Sequence, residues 1–277
     1  MRRIVSLAPN LTEIVFALGA GDRLEGDTDF CDFPAEAARK ARVGGPINPN
    51  LEKIVSLSPD VLLATTAINR RETVEALSQI GLPVYVSDPR SVDAMIASLE
   101  RLGQVLDAGP KARELAADLR ARLSGLDRRL AGQAPRRVLF VVWTSPLISI
   151  GRDTFLADAL RRAGARSVVE TAVEWPRINL EEVIRLQPEF VVFASAHASQ
   201  TEREIADLRA RPGWRDLEAM RRDRVVVISD AINRPAPRMV DAMEDLARAL
   251  HPAAFASRLH SPASAPSIAG GYSPCGL

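Results

Sequence analysis

The chain of 277 residues is long enough for two domains of ordinary size or for one large domain. Hydrophobic residues make up 47% of it and charged residues 26%, so a substantial core can form. Its 36 Lys and Arg residues balance its 35 Asp and Glu residues, and a formal net charge of +1 argues against nucleic acid or an anionic membrane as the main partner. No apolar run approaches the roughly 18 residues needed to cross a bilayer, which predicts that the protein does not itself span a membrane.

The N-terminus shows no export signal. Met1, Arg2 and Arg3 are followed directly by Ile-Val-Ser-Leu, which predicts a first strand. A signal peptide would place an apolar stretch and a small-residue cleavage site before the fold. Three explanations stay open: a mature form with an added Met, a misassigned gene start, or a protein that stays inside the cell.

Cysteines and histidines are few. Cys31 and Cys275 lie near opposite ends of the chain, and Cys275 falls in a stretch without structural pattern, so no disulfide framework is expected. The histidines, His197, His251 and His260, have no metal-ligand spacing, which argues against a His-rich zinc or manganese site.

Short apolar runs alternate with helical patterns along the chain. Because strands that alternate with helices form βαβ units, the sequence predicts α/β architecture with mostly parallel sheets. The predicted strands are Arg3–Ala8, Val61–Ala64, 83–87, Arg137–Trp143, Phe190–Ala194 and Arg224–Ser229. The predicted helices are one opening at Thr12 and those at 51–57, 71–80, 92–106, Thr154–Ala163, Thr201–Ala210 and Pro237–Leu250.

One long helical pattern separates two such series. From Pro110 to Ala131, Leu115, Leu119, Leu123 and Leu126 recur at a spacing of three to four and form one apolar stripe. At about 1.5 Å per residue the helix would span roughly 30 Å, the size of a domain, so it can act as a stiff connector.

This pattern predicts four segments. They are an N-terminal lobe over 3–108, a connecting helix over 109–132, a C-terminal lobe over 133–250, and a disordered tail over 251–277 that is rich in Ser, Ala, Pro and Gly.

An internal repeat links the two lobes. Residues 50–64 match residues 179–193 without a gap, with Asn, Leu, Glu, Leu and Pro recurring at identical positions and the apolar positions in agreement. The shared pattern predicts a capped short helix, a proline stop, an acidic residue and a buried strand. Short helix-to-strand turns look alike in many α/β proteins, but five identities in register favour two similar lobes.

Several segments resemble the periplasmic cobalamin-binding proteins, which serve ABC-type importers. In the first half they are residues 3–19, Asp29–Pro34 (Asp-Phe-Cys-Asp-Phe-Pro), 43–45 and Asn50–Glu52, and in the second half Trp175-Pro176, Asn179–Glu181, Gly213-Trp214 and Arg234–Arg238 (Arg-Pro-Ala-Pro-Arg). The resemblance covers roughly residues 3–250, and the missing export signal is the main departure from it.

The resemblance implies two Rossmann-like lobes with mostly parallel sheets, joined by one long rigid helix, with the ligand in the cleft between them. It implies a monomer without intrinsic cofactor that binds cobalamin or a related corrinoid and docks onto ABC permease subunits in the periplasm or at the cell surface. The docking residues would be Glu52 and Glu181, the same glutamates that recur in the repeat. A carboxylate near a helix N-terminus is also favoured by the helix dipole alone.

A large, flat ligand needs apolar and aromatic walls with a few polar contacts. Phe30 and Phe33 lie in a loop soon after the first βα unit, Trp143 ends a predicted strand, and Trp175 precedes a proline in a loop. These positions fit the rule that open α/β sheets bind ligands beyond the carboxyl ends of their strands. The residues expected to face the ligand are Phe30, Cys31, Asp32, Phe33, Trp143, Trp175, Pro176, Asp230, Arg234 and Arg238. Aromatic residues can equally cap the core, and Asp230, Arg234 and Arg238 can pair among themselves.

Cys31 lies between two of these aromatic residues. It could approach a corrin cobalt or a haem iron as a metal ligand, although free cysteines are often buried and inert.

An enzyme is not expected. The chain has no G-x-S-x-G sequence, no P-loop, no G-x-G-x-x-G after the first strand and no paired Cys and His cluster. The alternatives to a corrinoid are haem or an iron–siderophore complex in the same fold, or a cytosolic ligand carrier. Fold alone does not decide among these ligands.

Overall fold

The computed structural model describes residues 2–256. Its first lobe contains a five-stranded parallel sheet of order β3-β2-β1-β4-β5 flanked by helices. These elements are β1 (Ile4–Ser6), α1 (Pro9–Ala17), β2 (Leu24–Asp27), β3 (Ala41–Arg42), α2 (Leu51–Ser56), β4 (Val61–Thr65), α3 (Arg71–Gln79), β5 (Val84–Ser87) and α4 (Val92–Val105).

The long helix α5 (Gly109–Leu130) leads to a second lobe with a four-stranded parallel sheet of order β11-β10-β6-β9. The elements of this lobe are β6 (Arg136–Val141), β7 (Trp143–Thr144), β8 (Leu147–Ile148), α6 (Phe155–Arg162), β9 (Ala165–Ser167), α7 (Leu180–Leu186), β10 (Phe190–Ser195), α8 (Ala198–Ala210), α9 (Glu218–Arg221), β11 (Val225–Ser229), α10 (Arg238–Leu250) and α11 (Pro252–Phe255). The α/β class with two lobes and mostly parallel sheets is confirmed.

The two sheets have equivalent strands in equivalent chain order. Neighbours β2-β1-β4-β5 in the first sheet correspond to β9-β6-β10-β11 in the second. The register is preserved as well: Ile4 pairs with Val61 in the first lobe, and Val138 pairs with Phe190 in the second. Val61 and Phe190 occupy the same position of the sequence repeat, so the duplication extends to strand pairing.

The repeated segment itself has the same local structure in both lobes. The side chain of Asn50 accepts a hydrogen bond from the backbone N–H of Lys53, and that of Asn179 accepts one from Glu181, both at 2.9 Å. Each helix then ends at a left-handed residue before the proline, Ser58 and Gln187, both with φ of 45°. The predicted capped helix and proline stop are therefore confirmed.

The acidic residue after each proline holds the start of the neighbouring strand. Asp60 accepts hydrogen bonds from the backbone N–H groups of Arg2 and Arg3 at 2.7 and 2.9 Å. Glu189 accepts one from the backbone N–H of Arg137 at 3.2 Å. This shared contact fixes the amino end of each central strand and explains why an acid recurs at that position.

Helix α5 is packed into both lobes along its length. Leu119, Leu123 and Leu126 are buried in a continuous core that includes Ile96 of α4 and Met243 of α10. Leu115 of the predicted stripe is only partly buried. Because the same core runs from one lobe into the other, the lobe boundaries at 108–109 and 132–133 stay predictions.

Four strands, β2, β3, β8 and β9, escaped the sequence prediction because each has only two to four residues, too few to show a periodic apolar pattern. Strand β2 is Leu-Glu-Gly-Asp, where a Cβ on Gly26 would lie 2.6 Å from the side chain of Leu57 and 3.0 Å from the carbonyl oxygen of Ala41. Strands β3 and β9 have two and three residues. The close approach, which only glycine permits, sets the packing of β2 against α2.

Two sequence predictions need correction. The strand predicted at Arg137–Trp143 ends at Val141, and Trp143 begins a separate antiparallel hairpin with β8. Residues 251–256 are not disordered, because His251 is buried and bonds the carbonyl oxygen of Gly164, and α11 packs Phe255 against the core. The remainder of the predicted tail, with Cys275 and His260, lies outside the described residues.

In residues 2–256 we find no helix with both the length and the apolar character that a membrane crossing requires.

The left-handed residue after α2 gives a test of this local structure. Ser58→Gly should raise the free energy of unfolding by roughly 0.5–1 kcal/mol, because a residue with a Cβ is strained at positive φ. Ser56→Gly, two residues earlier inside α2, should lower it by a similar amount. Denaturant unfolding followed by circular dichroism measures both. Equal effects of the two substitutions would contradict the assignment of strain to Ser58.

Candidate ligand-binding cleft

The carboxyl ends of the two sheets face each other across a cleft. The segment after β2, which carries Phe30 to Phe33, meets the segment after β11, which carries Asp230 and Arg234, since Arg234 bonds Asp32. Open parallel sheets bind ligands at this edge, where loops leave the strands. The cleft is thus the candidate functional site.

The four aromatic residues expected at this edge are all exposed. Phe30 is 62% exposed, Phe33 39%, Trp143 61% and Trp175 46%. By contrast Trp214 is buried beside Leu180. Large aromatic side chains that stay exposed in loops at the ligand-binding edge of a sheet are available for contact with a ligand. Their contact with a ligand stays a prediction.

A buried carboxylate joins the lobes at one end of the cleft. Glu13, on α1 of the first lobe, has a side chain only 2% exposed. Arg238, at the start of α10 in the second lobe, donates to both of its oxygens, from Nε at 2.9 Å and from Nη2 at 2.6 Å. Arg234 donates to the same carboxylate at 3.3 Å. Two planar guanidinium groups therefore share one carboxylate across the lobes.

Two further carboxylates complete this end. Arg234 binds both oxygens of Asp32 from the first lobe and contacts Asp230 of its own lobe at 3.4 Å. Arg238 also lies over the ring of Phe33, with 3.6 Å between its Cζ atom and the ring centroid. The Arg234 guanidinium lowers the pKa of Asp32, which keeps that carboxylate ionised at neutral pH.

The polar end carries net negative charge. Three carboxylates, Glu13, Asp32 and Asp230, surround two guanidinium groups, which leaves a formal charge of −1. An open cavity of about 460 Å³ lies against it. The cavity is lined by Asp32, Phe33, Ser195, Ala196, Val227, Ile228, Ser229, Asp230, Arg234 and Arg238.

Glu13 was not among the residues predicted from sequence. It lies within Leu-Thr-Glu-Ile-Val-Phe, where a single acid in a helical pattern suggests an outward-facing residue. Its partners are more than 220 positions away. Only the three-dimensional meeting of the lobes shows its role.

The prediction that Cys31 faces the cleft is wrong. Its side chain is 1% exposed, and its sulfur lies 3.2 Å from the hydroxyls of both Thr12 and Thr28. Burial raises the pKa of the thiol, which disfavours the thiolate that a metal binds. Nowhere in residues 2–256 do three or more His, Cys, Asp or Glu side chains group to hold a metal ion.

Pro176 is also buried, in contrast to the adjacent Trp175. Its carbonyl oxygen accepts a hydrogen bond from the backbone N–H of Ser149 at 3.1 Å. Pro176 therefore fixes the loop that presents Trp175, and its ring does not offer free surface to a ligand.

Glu52 and Glu181 occupy equivalent exposed positions in the first turns of α2 and α7. Neither side chain forms an ion pair or a hydrogen bond with another residue of the 2–256 segment. Both carboxylates are consequently available for a partner outside the chain.

A second buried carboxylate holds the loop that carries Phe30. Asp27 is fully buried and accepts a hydrogen bond from Nη1 of Arg42 at 2.7 Å. The same nitrogen donates to the carbonyl oxygens of Thr28 and Cys31 at 2.6 and 3.1 Å. The other oxygen of Asp27 has no hydrogen-bond partner in residues 2–256. Burial raises the pKa of Asp27 to about 6, although Arg42 opposes the shift.

The raised pKa of Asp27 predicts a pH effect on stability. The unfolded chain loses this proton near pH 4 and the folded protein near pH 6, so this group's contribution falls as the pH rises between those values. Above pH 6 the unfolding free energy is lower by about 3 kcal/mol than it would be if Asp27 had the same pKa in the folded and unfolded states. Asp27→Asn lacks this carboxyl and should not show the fall. The unfolding free energy of Asp27→Asn minus that of the unaltered protein should therefore rise from pH 4 to pH 6. A difference that is constant over this range, measured by denaturant unfolding, would contradict the raised pKa.

Comparison with known proteins agrees with this architecture. A family model described as periplasmic binding protein matches residues 4–231. A vitamin B12-binding protein of Vibrio parahaemolyticus serotype O3:K6 is 32% identical over 246 residues, which cover 88% of this chain and 87% of that protein.

Two solved structures share the fold. The periplasmic vitamin B12 binding protein of Vibrio cholerae superposes with a TM-score of 0.78 at 30% identity, covering 92% of this chain and 98% of that one. A periplasmic heme-binding protein from Roseiflexus sp. RS-1 gives a TM-score of 0.82 at 26% identity, covering 91% and 99%. With its two lobes, connecting helix and matched residues, the chain belongs to the periplasmic binding protein family.

Proposed function

We propose that the protein captures a corrinoid, cobalamin or a close relative, in the cleft between its lobes and delivers it to an ABC permease. It acts outside the cytoplasmic membrane, as a binding protein and not as an enzyme. The observation that carries the proposal is the cleft itself, where Phe33 lines an open cavity whose polar end has net negative charge.

The net negative charge at the polar end of the cleft favours a ligand whose rim carries uncharged polar groups. A corrin ring carries amide groups on its rim, which both donate and accept hydrogen bonds, whereas haem carries two ionised propionates. Arg234 and Arg238 are already bonded to carboxylates, so a propionate would have to displace Asp32 or approach three acidic groups. Like charges brought together in a partly desolvated cleft repel each other, and this disfavours haem.

The similarity to proteins that bind vitamin B12 supports the same ligand class. The four aromatic residues fit it as well, because flat rings provide apolar contact with a large macrocycle at small entropic cost.

Haem is the second candidate, on one specific observation. His197 is exposed directly after Ser195 and Ala196, which line the cavity, so an imidazole is available near the cleft to an iron. Tyr85, by contrast, is directed to the carbonyl oxygen of Ser98. The heme-binding structural neighbour has the same fold and keeps this alternative open to test.

A binding titration separates the two ligands. We expect cyanocobalamin to quench the tryptophan fluorescence of the protein with sub-micromolar affinity, and haemin to bind at least tenfold more weakly. Trp143→Ala and Trp175→Ala should each weaken cobalamin binding about tenfold, because each removes a large aromatic contact.

Ile80→Ala is the control for this titration, since Ile80 is similarly exposed at the end of α3 but belongs to no part of the cleft. Tighter binding of haemin than of cyanocobalamin, lost in His197→Ala, would instead establish haem as the ligand.

The docking role rests on Glu52 and Glu181. Each is exposed and unpaired among the described residues, and each stands at the same position of a duplicated segment. A permease built from two similar subunits would meet both through equivalent arginines, and complementary charges would orient the encounter.

Uptake assays with paired variants test the docking role. Glu52→Ala with Glu181→Ala should abolish uptake of labelled cobalamin by cells that contain the importer, while the Kd for cobalamin stays unchanged. The control is Lys53→Ala with Glu182→Ala, the adjacent equivalent positions of the repeat, which should leave both quantities unchanged. Unimpaired uptake in the first double variant would overturn the docking role.

A further inference from the structure

A second arginine–carboxylate bridge connects the lobes beyond the opposite edges of the two sheets. Arg90 follows β5 in the first lobe, and its Nη1 bonds a carboxylate oxygen of Glu174, which follows β9 in the second lobe. Asp88, in the same lobe as Arg90, accepts from its Nε at 3.0 Å. This group, here called the Arg90 cluster, consists of Asp88, Arg90 and Glu174.

The Arg90 cluster is the counterpart, under the duplication of the lobes, of Arg234 with its partners Asp32 and Asp230. Strands β5 and β11 are equivalent by sheet order, and each is followed at once by an aspartate, Asp88 or Asp230, that contacts the bridging arginine of its own lobe. Arg90 bonds a carboxylate in the loop after β9 of the other lobe, and Arg234 bonds one in the loop after β2. Strands β9 and β2 are also equivalent by sheet order.

The accepting loops share a short sequence. Asp32-Phe33-Pro34 in the first lobe corresponds to Glu174-Trp175-Pro176 in the second, so in each case the bridging carboxylate directly precedes an aromatic residue and a proline. Both aromatic side chains are exposed. The lobes are thereby bridged by two similar units, in each of which an arginine pairs with two acids and one of the acids precedes an aromatic residue.

The two units differ in exposure. The side chain of Arg234 is 18% exposed, but that of Arg90 is 56% exposed and that of Glu174 is 47% exposed. An ion pair so open to water is weakened by solvent screening, so it does little to hold the lobes together. It can exchange its internal bond for bonds to a ligand at small cost.

We infer that the Arg90 cluster is a second specificity-determining site of the cleft, in which Glu174 and Arg90 recognise uncharged amide groups on the rim of the ligand. The cluster has two carboxylates and one guanidinium, so its formal charge is −1, as at the first end. An amide can donate a hydrogen bond to Glu174 and accept one from Arg90. A carboxylate at the same place would be repelled by the negative charges of Glu174 and Asp88. This inference rests on the proposed corrinoid function and deepens it.

The test compares cyanocobalamin with its separated monocarboxylic acids, in each of which one rim amide is replaced by a carboxylate. The protein should bind at least one of these acids about tenfold more weakly than cyanocobalamin. Glu174→Gln should reduce that ratio to about twofold, because the repelling charge is gone while the hydrogen-bonding shape is kept. Glu170→Gln is the matched control, since Glu170 lies in the same loop but pairs with Arg166 inside the second lobe.

A bridge with only a structural role would change the affinity for all the ligands equally and leave their ratio unchanged. An unchanged ratio in Glu174→Gln, with cyanocobalamin still bound by the unaltered protein, would overturn this inference alone. If the unaltered protein bound no corrinoid, the proposed function would fail, and the inference with it.

Discussion

The sharing of the Glu13 carboxylate by Arg234 and Arg238 is the contact on which the geometry of the cleft depends. A buried carboxylate is costly unless it is paired and fully hydrogen-bonded, and here both partners come from the other lobe. The lobes must therefore stay close at this end for Glu13 to be satisfied. The core through α5 supplies the apolar part of the same restraint, because its leucines are buried against helices of both lobes. Together these contacts keep the two sheet edges facing each other without filling the space between them.

Much of the fold followed from the sequence because its signals are local. The cap at Asn50, its equivalent at Asn179 and the leucine stripe of α5 each depend on residues a few positions apart, and the structure confirms them. The strands β2 and β9 were missed because three or four residues hold too little periodicity, and their pairing is decided by neighbours distant in the chain. The aromatic residues were assigned to the cleft from their loop positions and from the family resemblance, although the strands that precede Phe30 and Trp175 were missed.

The polar part of the site could be predicted only in part. Asp32, Asp230, Arg234 and Arg238 were identified, but Glu13 was not, because its partners lie more than 220 positions away and no local pattern connects them. Cys31 shows the opposite case. Its neighbours Phe30 and Phe33 suggested a cleft position, whereas the two threonine hydroxyls hold the sulfur inside the lobe. For the Arg90 cluster a signal was present in the sequence, the paired Asp-Phe-Pro and Glu-Trp-Pro strings, but its meaning requires the equivalence of β2 and β9.

Duplication gives this cleft two similar ends, and burial makes them unequal. At the first end the arginines are mostly buried and share a carboxylate that water does not reach, so their positions are set before any ligand arrives. At the second end the ion pair is open to water and weak. A ligand held first by the preorganised end would lose little by displacing the open pair at the other. Duplicated lobes can thus provide one contact with fixed geometry, at Arg234 and Arg238, and one that can rearrange, at Arg90 and Glu174. This combination suits a large ligand that has polar groups around its whole rim.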